Sequence, residues 1–343
     1  MAALGAAAAS PKRSVDLDAE RLFLDIEGPR LLFVDGALDR THSRLGPIRQ
    51  IPFEPRSRHP LAAMAERGVG WAVALGRGQE GRCVQIVHVG SGGESHLPID
   101  LRLDEDIPAS LIETFAGGGW ANRHLRLHLD RGARLMRSVR LLQDEGFVSL
   151  RDEAEVGEGA SLVSTFLAAG GAGTRVDGEI RLAGEGAYAE AGGALLARGR
   201  QRHDANFVVR HERPSGTSRQ VWRSVADDQA ACSVAARVEV ARDAQETDGE
   251  QSLKGLLLSR AATINAKPEL EIFADDVKCA HGATVGELDR DALFYLASRG
   301  VPEAEAKALL TRAFVADAID RIGEEKAREA VGKDVEKWFG GQR

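Results

Sequence analysis

His124-Leu125-Arg126-Leu127-His128-Leu129, followed closely by Gly132-Ala133, alternates apolar and polar residues with a period of two. Successive side chains of a strand point to opposite faces. Leu125, Leu127 and Leu129 therefore share one face, and His124, Arg126 and His128 share the other, which is read as a solvated polar face. The pair Gly132-Ala133 then opens a further strand. It recurs as Gly159-Ala160 and Gly186-Ala187, each 27 residues after the last. Self-similarity at a period of about 20–50 residues marks a stack of repeated units. Around this core the pattern predicts short strands at Trp71–Leu75, Cys83–Val89, Arg134–Leu142, Ser161–Leu167, Thr174–Leu182, Ala187–Leu196, Asn206–Arg210, Ser218–Val225 and Cys232–Val240. With glycine turns and no helices between, the chain reads as an all-β solenoid or a sandwich, and even turn spacing favours the solenoid.

Both flanks differ from this core. Upstream, Arg30–Val34 is a strand ended by the turn dipeptide Asp35-Gly36. Four prolines between Pro47 and Pro60 oppose helix, and Leu61–Arg67 is a short helix closed by Gly68. Beyond about residue 286 the period becomes helical. Asp289 caps a helix with apolar face Ala292, Leu293 and Leu296, ended by Gly300. Pro302 opens a second, with a stripe of Ala306, Leu309, Leu310, Ala313, Phe314 and Ile319. Glu324–Phe339 is a charged third helix with Val331, Val335 and Trp338 on one side, and Trp338 is a candidate docking mark. The expected division is 1–68 irregular and mixed, 69–286 β core, and 287–343 helical.

Composition narrows the function. The chain has 343 residues, a net charge of −7, 38 glycines, 5% aromatics and three cysteines. Glycine-rich sequence with few aromatics fits many turns around a narrow core. Three cysteines make neither a disulfide framework nor a four-cysteine metal site, so a reduced, cytoplasmic setting is expected. The acidic balance argues against a nucleic-acid partner. No apolar run reaches the roughly 20 residues of a membrane-spanning helix. Met1–Ser10 is alanine-rich, but Lys12 and Arg13 follow it, the reverse of a secretory signal, so it reads as a disordered leader.

Few residues carry recognisable chemistry. Gly117-Gly118-Gly119 and Gly170-Gly171-Ala172-Gly173 lack the Lys-Ser/Thr of a phosphate-binding loop, so the chain has no ATP site of its own. No nucleophile elbow or His-Glu-x-x-His site occurs. His124 and His128 lie about 13 Å apart along their strand, too far to share a metal. His88 and His96 have no supporting ligands nearby, and His203 and His211 sit among arginines, which repel a cation. Cys83 and Cys232 read as core thiols. The exception is Asp275-Asp276-Val277-Lys278-Cys279-Ala280-His281-Gly282. Cys279 and His281, two apart on an extended segment, project to one face and suit iron–sulfur clusters, zinc or iron. Two ligands are too few for a closed site. Either both residues are structural, or the missing ligands come from another subunit.

The C-terminal third resembles a known family. Leu256-Leu257-Leu258, Lys267-Pro268-Glu269-Leu270-Glu271-Ile272, the segment from Ala274 to Gly286 containing Cys279-Ala280-His281-Gly282, and Leu293-Phe294-Tyr295-Leu296-Ala297-Ser298-Arg299-Gly300 are similar to the SufD family, scaffold subunits of the SUF iron–sulfur cluster assembly system. Weaker similarity reaches Ala244–Gly249 and Leu32–Gly36, covering most of the chain from about residue 30. SufB proteins, the paralogues, typically read Leu-Phe-Tyr-Cys where this chain has Leu293-Phe294-Tyr295-Leu296, and His-Glu where it has His281-Gly282. The long helical segment with which SufD proteins usually begin has little counterpart in residues 1–30.

The resemblance implies a right-handed parallel β-helix with a C-terminal helical segment, in a complex with SufB and the ATPase SufC. It implies that SufC docks on the C-terminal helices, and that a transient cluster shared with SufB forms at their interface. The family's interface histidine maps onto His281, with Cys279 beside it. A homodimer of the chain alone is compatible with the family. So is flavin association, although no residue here places a flavin. The implied role is non-enzymatic. Two alternatives stand against it: a β-helix enzyme acting on polysaccharide, for which Asp275-Asp276 is the tempting acidic pair, and a purely structural partner subunit with no ligand role.

Overall fold

The computed structural model describes residues 19–51 and 57–340; the leader expected at Met1–Ser10 lies outside the described residues. The N-terminal part holds β1 (Arg30–Val34), β2 (Ala37–Arg44), β3 (Ile48–Ile51), α1 (Pro60–Ala65) and β4 (Gly70–Leu75). The core follows as β5 (Arg82–Leu103), β6 (Pro108–Leu129), β7 (Arg134–Leu141), β8 (Phe147–Val156), β9 (Ser161–Ala168), β10 (Gly173–Leu182), β11 (Tyr188–Ala197), β12 (Arg202–His211), β13 (Thr217–Ala226), β14 (Ala231–Val240), β15 (Thr247–Leu257), β16 (Thr263–Ile272) and β17 (Val277–Glu287). Then come α2 (Arg290–Ser298), α3 (Glu303–Ile319) and α4 (Glu325–Gly340).

Every second core strand pairs in parallel. β7, β9, β11, β13, β15 and β17 stack as one sheet. β8, β10, β12, β14 and β16 stack as the facing sheet. The long β6 serves both, its first half pairing with β7 and its second with β8. The result is a flattened parallel β-helix of about eight turns, the solenoid of the sequence reading.

The register explains the Gly-Ala repeat. Arg134, Ser161, Tyr188, Thr217, Asp248 and Lys278 are successive partners, so the coils measure 27, 27, 29, 31 and 30 residues. One corner of each coil holds a left-handed residue: Asp106, Gly132, Gly159, Gly186, Ser215 and Glu246. Each of these donates its N–H to the next coil. Gly132, Gly159 and Gly186 fill this corner cheaply, because glycine adopts positive φ without a Cβ clash. Later coils use Ser215 and Glu246 and are longer, so the repeat fades from the sequence though not from the fold.

The interior is filled by large residues set against glycine. Phe166, Phe207 and Trp222 stack at centroid distances of 5.4–5.9 Å. A Cβ on Gly178 would stand 2.0 Å from the Phe207 ring. Alternation of large and absent side chains is how a narrow solenoid reaches close packing.

Helices α3 and α4 pack on the outer face of the first sheet. Leu167, Ala194, Leu196, Val225 and Leu256 meet Val315, Ile319, Ile322, Val331, Val335 and Trp338. Arg140 clamps Asp334 through two hydrogen bonds of 2.7 and 3.1 Å. Asp289 caps α2 as expected, accepting from the Asp291 and Ala292 amides. Two helical expectations are corrected. The buried face of α3 is Ala306, Thr311, Val315, Ala318 and Ile319, while Leu309 and Ala313 face solvent. Trp338 is buried against the β-helix under the Arg198 guanidinium, 5.6 Å from its ring, and marks packing rather than an exposed surface.

Candidate functional site

The β-helix has an open C-terminal mouth. β16 and β17 pair only with β14 and β15 among the described residues. Their outer edges are unpaired, and an open edge is a template for another chain. Ile272, Phe273 and Val285 are exposed around this end.

Cys279 and His281 lie on β17, in register with Gly249 and Gln251 of β15. Traced back, the Cys279 column is Gly249, Ser218, Ala189, Leu162 and Leu135; the His281 column is Gln251, Gln220, Ala191, Ser164 and Arg137. Leu135, Leu162, Ala189 and Ala191 belong to the interior core, so both columns face inward. With no further coil above them, Cys279 is half-buried and His281 exposed. Burial pushes the Cys279 thiol up, and a hydrogen bond from the Gly249 amide opposes it. A thiol raised in this way is not a ready nucleophile; metal binding has to draw its proton off. No group of three or more His, Cys, Asp and Glu among the described residues is placed to hold a metal ion. The mouth thus presents one thiol and one imidazole on the same inward face.

A family model described as the SUF system FeS cluster assembly SufBD core domain matches residues 90–314, two thirds of the chain. The chain belongs to the SufBD family. It is 32% identical over 174 residues to the iron–sulfur cluster assembly protein SufD of Escherichia coli, covering 51% of this chain and 41% of that protein. A SufBD family protein of Synechocystis is 40% identical over 124 residues, 36% of this chain and 27% of its own. The chloroplastic protein ABCI7 of Arabidopsis thaliana is 30% identical over 246 residues, 68% of this chain and 50% of its own. The chain thus spans half or less of the length of these relatives. Within the family the chain is similar to a SufD protein.

The other histidines of this SufBD chain are placed differently from the sequence reading. His124 is fully buried rather than solvated. The segment carrying α1 lies on that face, and the His124 ring nitrogens stand 3.3 Å from Glu66 and from Glu153. Arg126 pairs with Asp100 at 2.9 Å, and only His128 is exposed. His203 and His211 face the interior instead of neighbouring arginines; burial lowers each to about 4. Cys83 and Cys232 are core thiols, pushed up to about 12 by burial.

Sequence reasoning missed one feature. Inside the early coils, Glu113, Arg123, Arg137 and Asp152 form a buried network. Arg137 donates to Glu113 and to Asp152 at 2.5 Å each, Arg123 donates to both carboxylates, and His88 Nε2 stands 3.5 Å from Glu113. Burial raises both carboxylates, but the two guanidiniums outweigh it and hold both below the usual range. Charge at inward positions of an alternating strand was the available signal.

Proposed function

We propose that this chain is the non-catalytic scaffold subunit that pairs, through the mouth of its β-helix, with a SufB-type partner, and that a nascent iron–sulfur cluster forms across that junction as cargo. The observation that carries the reading is the position of Cys279 and His281: inward-facing, reachable, on an end strand whose outer edge is unpaired, and short of ligands. A second β-helix meeting β16 and β17 edge to edge supplies the missing donors and covers Ile272, Phe273 and Val285. His281 is the ligand in this reading and Cys279 its helper, metal binding drawing off the raised thiol's proton.

The segment 287–343 is proposed as the docking surface for a SufC-type ATPase, beyond the β core at 69–286 and the N-terminal 1–68. Helix α2 has no buried residue, and Phe294 and Tyr295 are 76% and 58% exposed on it, with Leu309 exposed on α3. Movement of the ATPase would act on helices that are clamped to the sheet by Arg140–Asp334 and Arg223–Asp317. The proposed setting is the cytoplasm.

Anaerobic co-expression with SufB- and SufC-type partners, followed by absorbance and iron counting, tests the reading. His281→Ala is expected to leave the complex assembled and to abolish cluster build-up. A normal iron count in that variant removes the ligand role.

A further inference from the structure

Gln251 is the register partner of His281 and precedes it in the inward column. One coil deeper, Gln220 precedes Gln251. The two glutamines repeat one arrangement. Both are buried, at 0% and 1% exposure. Gln220 Nε2 donates across the interior to the Arg237 carbonyl at 3.0 Å, and Gln251 Nε2 donates to the Glu269 carbonyl at 3.4 Å. Arg237 and Glu269 are themselves register partners on the facing sheet. Each amide is thus tied by its nitrogen, and each Oε1 is buried without a hydrogen-bond partner among the described residues. A buried acceptor left unpaired costs about 1–3 kcal/mol. The next rung of this ladder is His281, and the facing sheet ends at β16, so among the described residues no strand carbonyl of that sheet stands opposite it.

We propose that Gln251 is a positioning residue for His281. Its Oε1 accepts the N–H of one ring nitrogen and leaves the other, unprotonated, turned out of the mouth toward iron. Neighbouring strands lie about 4.8 Å apart, so rotation of the exposed ring brings a nitrogen within reach of that oxygen. An acceptor behind a ligating histidine fixes its tautomer and orientation and raises its basicity. The inference rests on the reading of His281 as a partner-facing ligand, but the ring can be interrogated without any metal.

Long-range 1H–15N spectra of the full chain report the tautomer of His281. One tautomer is expected to dominate in the wild type, and both to be populated in Gln251→Leu. Gln251→Glu keeps an acceptor and restores the single tautomer. Gln220→Leu, one coil deeper, leaves the ring unmoved. Each Leu variant also takes the side-chain donor from the Glu269 or Arg237 carbonyl, at a cost of about 1–3 kcal/mol, so folding of both is checked by the melting transition. In the reconstituted complex, Gln251→Leu lowers cluster content about tenfold, the usual size of an outer-shell loss. Identical ring spectra for wild type and Gln251→Leu overturn the inference. If the ring responds as stated while His281→Ala still builds clusters, the coupling stands and the ligand reading falls.

Discussion

Arg137 and His281 occupy the same inward column, five coils apart, and meet opposite fates. Arg137 is 2% exposed and is matched by Glu113 and Asp152 from its own and adjoining coils. His281 stands at the open end, exposed, with its coil unfinished. A β-helix interior admits charge where neighbouring coils supply the complement, because an unpaired buried charge is far too costly. Where the coils stop, water takes that place, or in the proposed reading a partner chain does. The largest effect should follow from breaking the matched end. Arg137→Met leaves Glu113 and Asp152 with one guanidinium between them. A loss of about 3–5 kcal/mol is expected, the range for removing one partner of a buried network. Urea denaturation measures it, and a change below about 1 kcal/mol would show that the four groups do not act as one network.

Between the two ends the interior holds His203 and His211 in neutral form. His203 is 0% exposed, and burial lowers it to about 4, against an ordinary value of about 6.5. Below about pH 6.5 the unfolded chain binds a proton there that the folded chain refuses until about pH 4. Stability therefore falls as pH drops through that window, by roughly 3 kcal/mol for His203. Glu113 and Asp152, both lowered, contribute stability that is present above about pH 4.5 and is lost at more acid pH. His203→Leu should make the pH 6.5–4 limb of the stability curve shallower by roughly 3 kcal/mol, with His211 carrying the remainder, and leave the more acid limb in place. An unchanged limb would mean that His203 accepts its proton in the folded state.

The division between what was legible and what was not follows the same contrast. Alternation at His124–Leu129 and the 27-residue repeat at Gly132, Gly159 and Gly186 carried the solenoid, since a left-handed corner asks for glycine and an inward face asks for apolar residues. The repeat failed beyond Gly186 because Ser215 and Glu246 take the same corner at longer spacing. The strands β8, β15 and β16 were missed because inward Asp152, Gln251 and Pro268 interrupt the apolar pattern. Alternation assigns a face to His124 but cannot tell that α1 covers it. That Cys279 and His281 share a face was legible by spacing, while their role as ligands is implied only by the resemblance. The glutamine rungs behind them were not legible, because Gln220 and Gln251 lie 31 residues apart and only the register joins them.

The smallest stability effect is expected at the mouth, where the difference between the two ends is sharpest. His281 is exposed, makes none of the hydrogen bonds or ion pairs seen for Arg137, and lies on a strand paired on one side. Truncating an exposed side chain of this kind shifts stability by no more than about 0.5 kcal/mol, and losing the proposed bond to Gln251 adds about 1 kcal/mol, the net worth of an ordinary hydrogen bond. His281→Ala should therefore unfold in urea only slightly before the wild-type chain, while Arg137→Met unfolds far earlier. Two residues of one column would then separate cleanly into one that holds the coil together and one that the coil presents. A loss at His281 comparable to that at Arg137 would mean that the imidazole completes the interior of its own chain, and the shortage of ligands at the mouth would lose its meaning as a sign of a partner.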